Sequence, residues 1–125
     1  MSFIYLASPY SHPSLLISEL RFRAVEIVSG EILRKGITVY SPIVYCHMMS
    51  TRLGLPADAR FWFPHNRSIL KEATSLWILT LPGWDNSIGV EGERRAAEEF
   101  GLKWQRTAPE TWGAGEIAEA LLKLA

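Results

Sequence analysis

Short apolar runs alternate along the chain with longer stretches in which apolar residues recur every three or four positions. That is the pattern of strands alternating with helices. Phe3-Ile4-Tyr5-Leu6-Ala7 reads as a first strand, halted at Ser8-Pro9 because proline cannot donate to a ladder. From about Ser14 to Lys35, Leu16, Leu20, Ala24, Ile27, Val28 and Ile32 keep helical spacing, with Gly36 as the stop. Ile37–Tyr40 is a second strand, closed again by Ser-Pro at Ser41-Pro42. The stretch from Ile43 to Asp58 gives mixed signals, a long loop with at most a short helix near Met48–Leu53. A weakly periodic helix is expected over about Ala59–Ala73.

Leu76–Leu81 is a continuous apolar run of the kind buried on both faces, ended by Pro82-Gly83. A helix over about Ile88–Phe100 should follow, capped by Asn86 or Ser87 and stopped by Gly101. Lys103–Arg106 is a candidate fourth strand. Glu116–Leu124 is a final amphipathic helix with Ile117, Ala120, Leu121 and Leu124 on one face. Alternation of this kind implies βαβ units and a mainly parallel sheet. The expectation is a three-layer α/β domain, flavodoxin/Rossmann-like, with four or five strands in the order 2-1-3-4.

At 125 residues the chain suits one domain, 1–125. Its 13 basic and 13 acidic side chains cancel, which argues against a nucleic-acid or anionic-membrane partner. Neither a secretory leader nor a run of roughly 20 apolar residues is visible, and the one cysteine, Cys46, fits a reducing compartment. The expected location is the cytoplasm. His12, Cys46, His47 and His65 lack zinc-ligand spacing, so neither a metal nor a cofactor is expected.

In open parallel sheets ligands bind beyond the carboxyl ends of the strands. Three loops therefore carry the candidate chemistry: Ser8–His12, Ser41–His47 and Pro82–Glu93. Either Ser-Pro could be simple turn chemistry. In the third loop, Ser87 and Gly89 stand where a helix begins, and free backbone N–H groups there attract anions. Glu93 falls in the early turns, where the helix dipole favours the ionised carboxylate, a potential nucleophile. It is also one of several glutamates on that helix and could be a solvated residue; Ala97, four residues on, argues for the packed side. Trp84 could stack on a base or wedge against Pro82. His47 is either a proton donor or a hydrogen-bonded loop histidine. Arg21 and Arg23 could reach a phosphate or pair with surface acids.

The segments IYLASPY, GITVYSPI and LPGWDNSIGVEGERRAAEEFG, with Arg21 and Ala24 between the first two, resemble the nucleoside 2-deoxyribosyltransferase superfamily over about residues 3–106. Within it the chain is most similar to a small bacterial and phage branch of uncharacterised proteins with YSPI…H and GWxxSxG…E motifs. The resemblance implies that Glu93, set between Gly89 and Ala97, attacks C1′ of a deoxyribosyl group and expels the base. Tyr5 would position that carboxylate. Ser87 would hold a 5′-phosphate, as in the nucleotide-hydrolysing members, with Gly89 beside it. Ser8, Pro9 and His47 should line the pocket. The substrate would be a nucleoside or nucleotide and the assembly a homo-oligomer, with Trp104, Trp112 and the last helix as candidate interface.

The chain departs from the family pattern at two positions. Ser75 stands where an aspartate usually precedes the third strand, and Ser87 stands where transferases have another. Asp85 is a candidate substitute acid, or a plain turn residue. The departures keep open a non-catalytic nucleotide-binding or sensor module on the same fold. A protein-interaction domain without a small ligand is the third reading.

Overall fold

The computed structural model describes residues 2–124. Strands β1 (Ile4–Ala7), β2 (Val39–Tyr40), β3 (Ser75–Leu79) and β4 (Trp104–Thr107) form one parallel sheet in the order β2-β1-β3-β4. Five helices connect and cover it: α1 (Leu15–Arg34), α2 (Pro42–Leu53), α3 (Ala59–Leu70), α4 (Ile88–Glu99) and α5 (Gly115–Leu124). The expected α/β class, strand order and three-layer arrangement are therefore correct.

The strands alternate between two cores, as a period of two requires. Leu6 and Leu79 face Ala24, Val25, Val28 and Ile32 of α1 and Ala118 and Leu121 of α5. Tyr5, Ala7, Leu76 and Ile78 face Leu70 of α3 and Val90, Ala96 and Ala97 of α4. The second layer closes tightly at Gly92, where an added Cβ would come within 3.2 Å of the Phe63 ring.

The sequence reading needs correction at α2. No long loop follows Tyr40; Ser41 is the N-cap of a twelve-residue helix, its Oγ accepting from the Val44 N–H at 3.2 Å. Pro42 occupies the first helical turn, where its missing N–H is not needed. The same Ser-Pro pair that ends a strand here begins a helix. Smaller corrections follow from packing. Helix α3 stops at Leu70, and on α5 the inward face is Ile117, Ala118 and Leu121, leaving Leu124 46% exposed. Trp112 is half-buried: it stacks on Trp77 at 6.1 Å and donates its indole N–H to Thr107 Oγ1. Among the described residues no helix is long and apolar enough to cross a membrane.

Each fully buried leucine removes apolar surface from water and leaves a cavity if truncated. Leu79→Ala should lower the unfolding free energy by about 3 kcal/mol in urea titrations. Leu122→Ala, at a side chain 65% exposed, should change it by less than about 0.5 kcal/mol.

Candidate active site

All four strands point the same way, so the loops after β1, β2 and β3 meet at one edge. Strand β1 pairs with β2 on one side and β3 on the other. The chain thus switches direction at the carboxyl ends of β1 and β3, the place where such sheets open a crevice. A cavity of about 720 Å³ lies there, a volume in the range of small-molecule sites.

Glu93 is its chemical centre. It lies six residues into α4, on the inward face with Ala97, and is only 7% exposed. Tyr5, fully buried on β1, donates its hydroxyl to Glu93 Oε2. Burial drives the Glu93 pKa up to about 7, and the Tyr5 hydrogen bond pulls against that shift. The expected dipole effect is therefore outweighed, because desolvation of a buried carboxylate exceeds what one helix end offers. Burial and the adjacent carboxylate hold the Tyr5 phenol well above its ordinary range, so it stays a donor.

Ser8 lies in the cavity wall, 4% exposed, and its buried Oγ has no hydrogen-bond partner among the described residues. Ser87 is the α4 cap: its Oγ accepts from the Val90 N–H at 3.2 Å, leaving its own O–H to donate. Gly89 lies beside it in the lining, and an added Cβ would meet Ala59 at an ordinary 3.5 Å. So Glu93, Tyr5, Ser8, Ser87 and Gly89 are brought together.

Besides Tyr5, which reaches the site through Glu93, four expected residues are not in the cavity lining. Pro9 is fully buried beneath it. His47 turns away from the cavity because α2 begins at Pro42; it stacks on Phe22 at 3.8 Å, and Tyr10 stands between it and the cavity. Trp84 is half-buried against the α3/α4 core, with the Arg106 guanidinium 6.0 Å from its ring centroid. Asp85 is exposed in the short 3-10 turn Trp84–Asn86. Gly83, at φ +94°, opens that turn, and Gly83 and Asn86 at its two ends line the cavity where Trp84 and Asp85 do not.

Several lining residues come from helices rather than strand-end loops. Arg21, on α1, reaches over to donate to the carbonyls of Ser11 at 3.0 Å, and of Tyr10 and Pro82 at 3.4 Å. None of these partners is a carboxylate, its Nε is buried without a partner, and a Cβ at Gly83 would stand 2.7 Å from Nη2. A cation is thus held in the wall of the cavity that Ser87 and Gly89, at the α4 N-terminus, also line. Trp62, Phe63 and Asn66 of α3 also line it, and Tyr40 donates to Asn66 Oδ1 at 3.4 Å. The α3 residues were hard to find in sequence, since Pro64 obscures the helical period.

A family model described as Domain of unknown function (DUF1937) matches residues 2–105, most of the chain. The chain belongs to this family. The DUF1937 match runs from before β1 into β4, so it contains every cavity residue and leaves α5 outside. None of the curated proteins matches the chain. Among the described residues of this DUF1937 domain, no group of three or more His, Cys, Asp or Glu is placed to hold a metal ion.

A carboxyl whose folded pKa is raised holds its proton longer in the folded than in the unfolded state. Stability is therefore fully present below the ordinary value of 4.5 and is lost as pH rises to about 7. The loss above that window is roughly 3 kcal/mol. Glu93→Gln keeps an acceptor for Tyr5 and removes the charge. It should be more stable than the parent at about pH 8 and indistinguishable near pH 4, measured by urea unfolding across pH.

Proposed function

We propose that this DUF1937 domain acts on the N-glycosidic bond of a nucleoside or nucleotide, by hydrolysis or 2-deoxyribosyl transfer, with Glu93 as nucleophile. The observation that carries the reading is a buried carboxylate, hydrogen-bonded by Tyr5, inside a nucleotide-sized cavity at the sheet's switch point. In the reaction a Glu93 oxygen attacks C1′ as the bond to the base breaks, giving a glycosyl ester. Water or a second base then attacks C1′ and frees the carboxylate. Tyr5 steadies Glu93 in the ionised form that attack requires, and burial keeps water from solvating it.

Arg21 and the α4 N-terminus at Ser87 and Gly89 favour a phosphorylated substrate, since a guanidinium without a carboxylate partner and free helix amides both attract an anion. Ser8 offers one further hydroxyl. The second reading, a nucleotide-binding or sensor module, is favoured by one observation: neither Asp85 nor Ser75 is in the cavity lining. Asp58, the other acid there, accepts from the Phe61 N–H as the α3 cap.

The test is base release from a panel of deoxynucleotides, ribonucleotides and free nucleosides, followed by chromatography. The ascending limb of the pH profile of release should have its midpoint near 7, where Glu93 ionises, and release should fall at least about 1000-fold in Glu93→Ala. Tyr5→Phe should move that midpoint upward by about one unit, since it removes a hydrogen bond to the charged form. Arg21→Met should raise KM for monophosphates and leave that for nucleosides unchanged. Calorimetric binding of nucleotides with no base released would decide for the sensor.

A further inference from the structure

Tyr10, His47 and Glu19 form a chain that leads from solvent to the cavity. Tyr10 lines the cavity, and its hydroxyl lies 2.7 Å from His47 Nδ1. His47 is buried, and its Nε2 lies 3.2 Å from Glu19 Oε2 on α1, a carboxylate whose side chain is 53% exposed. Phe22 stacks on the imidazole at 3.8 Å while Tyr10 meets it edge-on, so the ring is gripped in one orientation. An ionised carboxylate only accepts hydrogen bonds, so His47 donates from Nε2 and the neutral ring must accept the Tyr10 O–H at Nδ1. Carboxylate, imidazole and hydroxyl in this order are the arrangement by which an imidazole moves a proton on and off an oxygen.

Resting on the reading of Glu93 as the glycosyl acceptor, we infer that Tyr10 passes a proton to the departing base, with His47 and Glu19 as its positioning and proton-supplying partners. Cleavage of the C1′–N bond leaves the bonding electron pair on the base, which departs far more readily if it is protonated. Glu93 is engaged at C1′, and Asp58 is engaged as a helix cap. In the imidazolium form, His47 donates from Nδ1 to Tyr10 Oη, and the Tyr10 proton is free to leave. As the bond to the base breaks, that proton goes to the base and the Nδ1 proton replaces it on Tyr10, leaving neutral His47. When water attacks the glycosyl ester, its proton passes to Tyr10 Oη, the Tyr10 proton returns to Nδ1, and Glu93 leaves as carboxylate. Every proton is accounted for over the cycle, and no other reactant enters.

The surroundings suit a phenol that stays protonated between turnovers. Burial, with Cys46 on α2 and Glu19 on α1 nearby, raises the Tyr10 pKa, and burial likewise pushes the Cys46 thiol up to about 11. Cys46 therefore stays a thiol at neutral pH and does not compete for the proton that Tyr10 relays.

A base methylated at N7 carries a positive charge and leaves as a neutral molecule without being protonated. The experiment compares guanine nucleotides with their N7-methyl counterparts in the parent protein, Tyr10→Phe and Glu19→Gln. Tyr10→Phe should slow release of guanine by roughly 100-fold and release of N7-methylguanine by less than about threefold, within the spread of neutral substitutions. Glu19→Gln, at an exposed position, should show the same selectivity at smaller amplitude, and it serves if Tyr10→Phe melts early. Equal slowing of both substrates would make Tyr10 a packing residue, and no slowing of either would equally overturn the relay. Failure of the parent protein to release either base would instead overturn the glycosidic reading itself, and the relay with it.

Discussion

The pairing of β1 with strands on both of its sides governs the rest of the molecule. Because β2 and β3 flank it in parallel, both faces of β1 are covered by helices, and Tyr5, Leu6 and Ala7 are fully buried. The same pairing sends the chain in opposite directions from β1, which opens the crevice at its carboxyl end. Tyr5 then serves two purposes at once. Its ring is part of the α3/α4 core, and its hydroxyl reaches a carboxylate 88 residues away.

That contact holds an energetic conflict in place. A carboxylate in the core of a small domain is costly, and one hydrogen bond from a phenol offsets only part of the cost. The sheet and the two helix layers hold Glu93 where no isolated helix would keep it. Such a position weakens the fold at neutral pH and raises the carboxyl pKa to about 7, a combination that concentrates at functional sites. Arg21 shows the same logic with opposite sign: its partners among the described residues are carbonyl oxygens, leaving net positive charge in the wall of the cavity that the α4 N-terminus also lines.

Ser41-Pro42 and Ser8-Pro9 look alike in sequence and do different things. The first opens α2 by capping and preorganised φ; the second ends β1, with Ser8 facing the cavity and Pro9 beneath it. Local chemistry permits both outcomes, and the neighbours choose. His47 illustrates the consequence. Its sequence position after a strand suggested a pocket residue, but one extra helix rotates it behind Tyr10. Asn66 and Trp62 entered the site without a local signal, because their part of α3 passes the cavity only after α3 packs on α4.

Hydrophobic periodicity was sufficient for the four strands, for α1, α3, α4 and α5, and for the parallel sheet, since those follow from which residues must leave water and how short connections run; α2 escaped it, because Ser41-Pro42 ends a strand and begins a helix with the same residues. The spacing of Glu93 and Ala97 pointed Glu93 to the packed side without excluding a solvated position, and the packing of α4 on the sheet is what buries it. Which side chains face the cavity, that burial raises the Glu93 pKa, and that Arg21 crosses from α1 to the site were decided only by the tertiary structure. Desolvation and charge are sums over every neighbour within several ångströms, and most of those neighbours are distant in the chain.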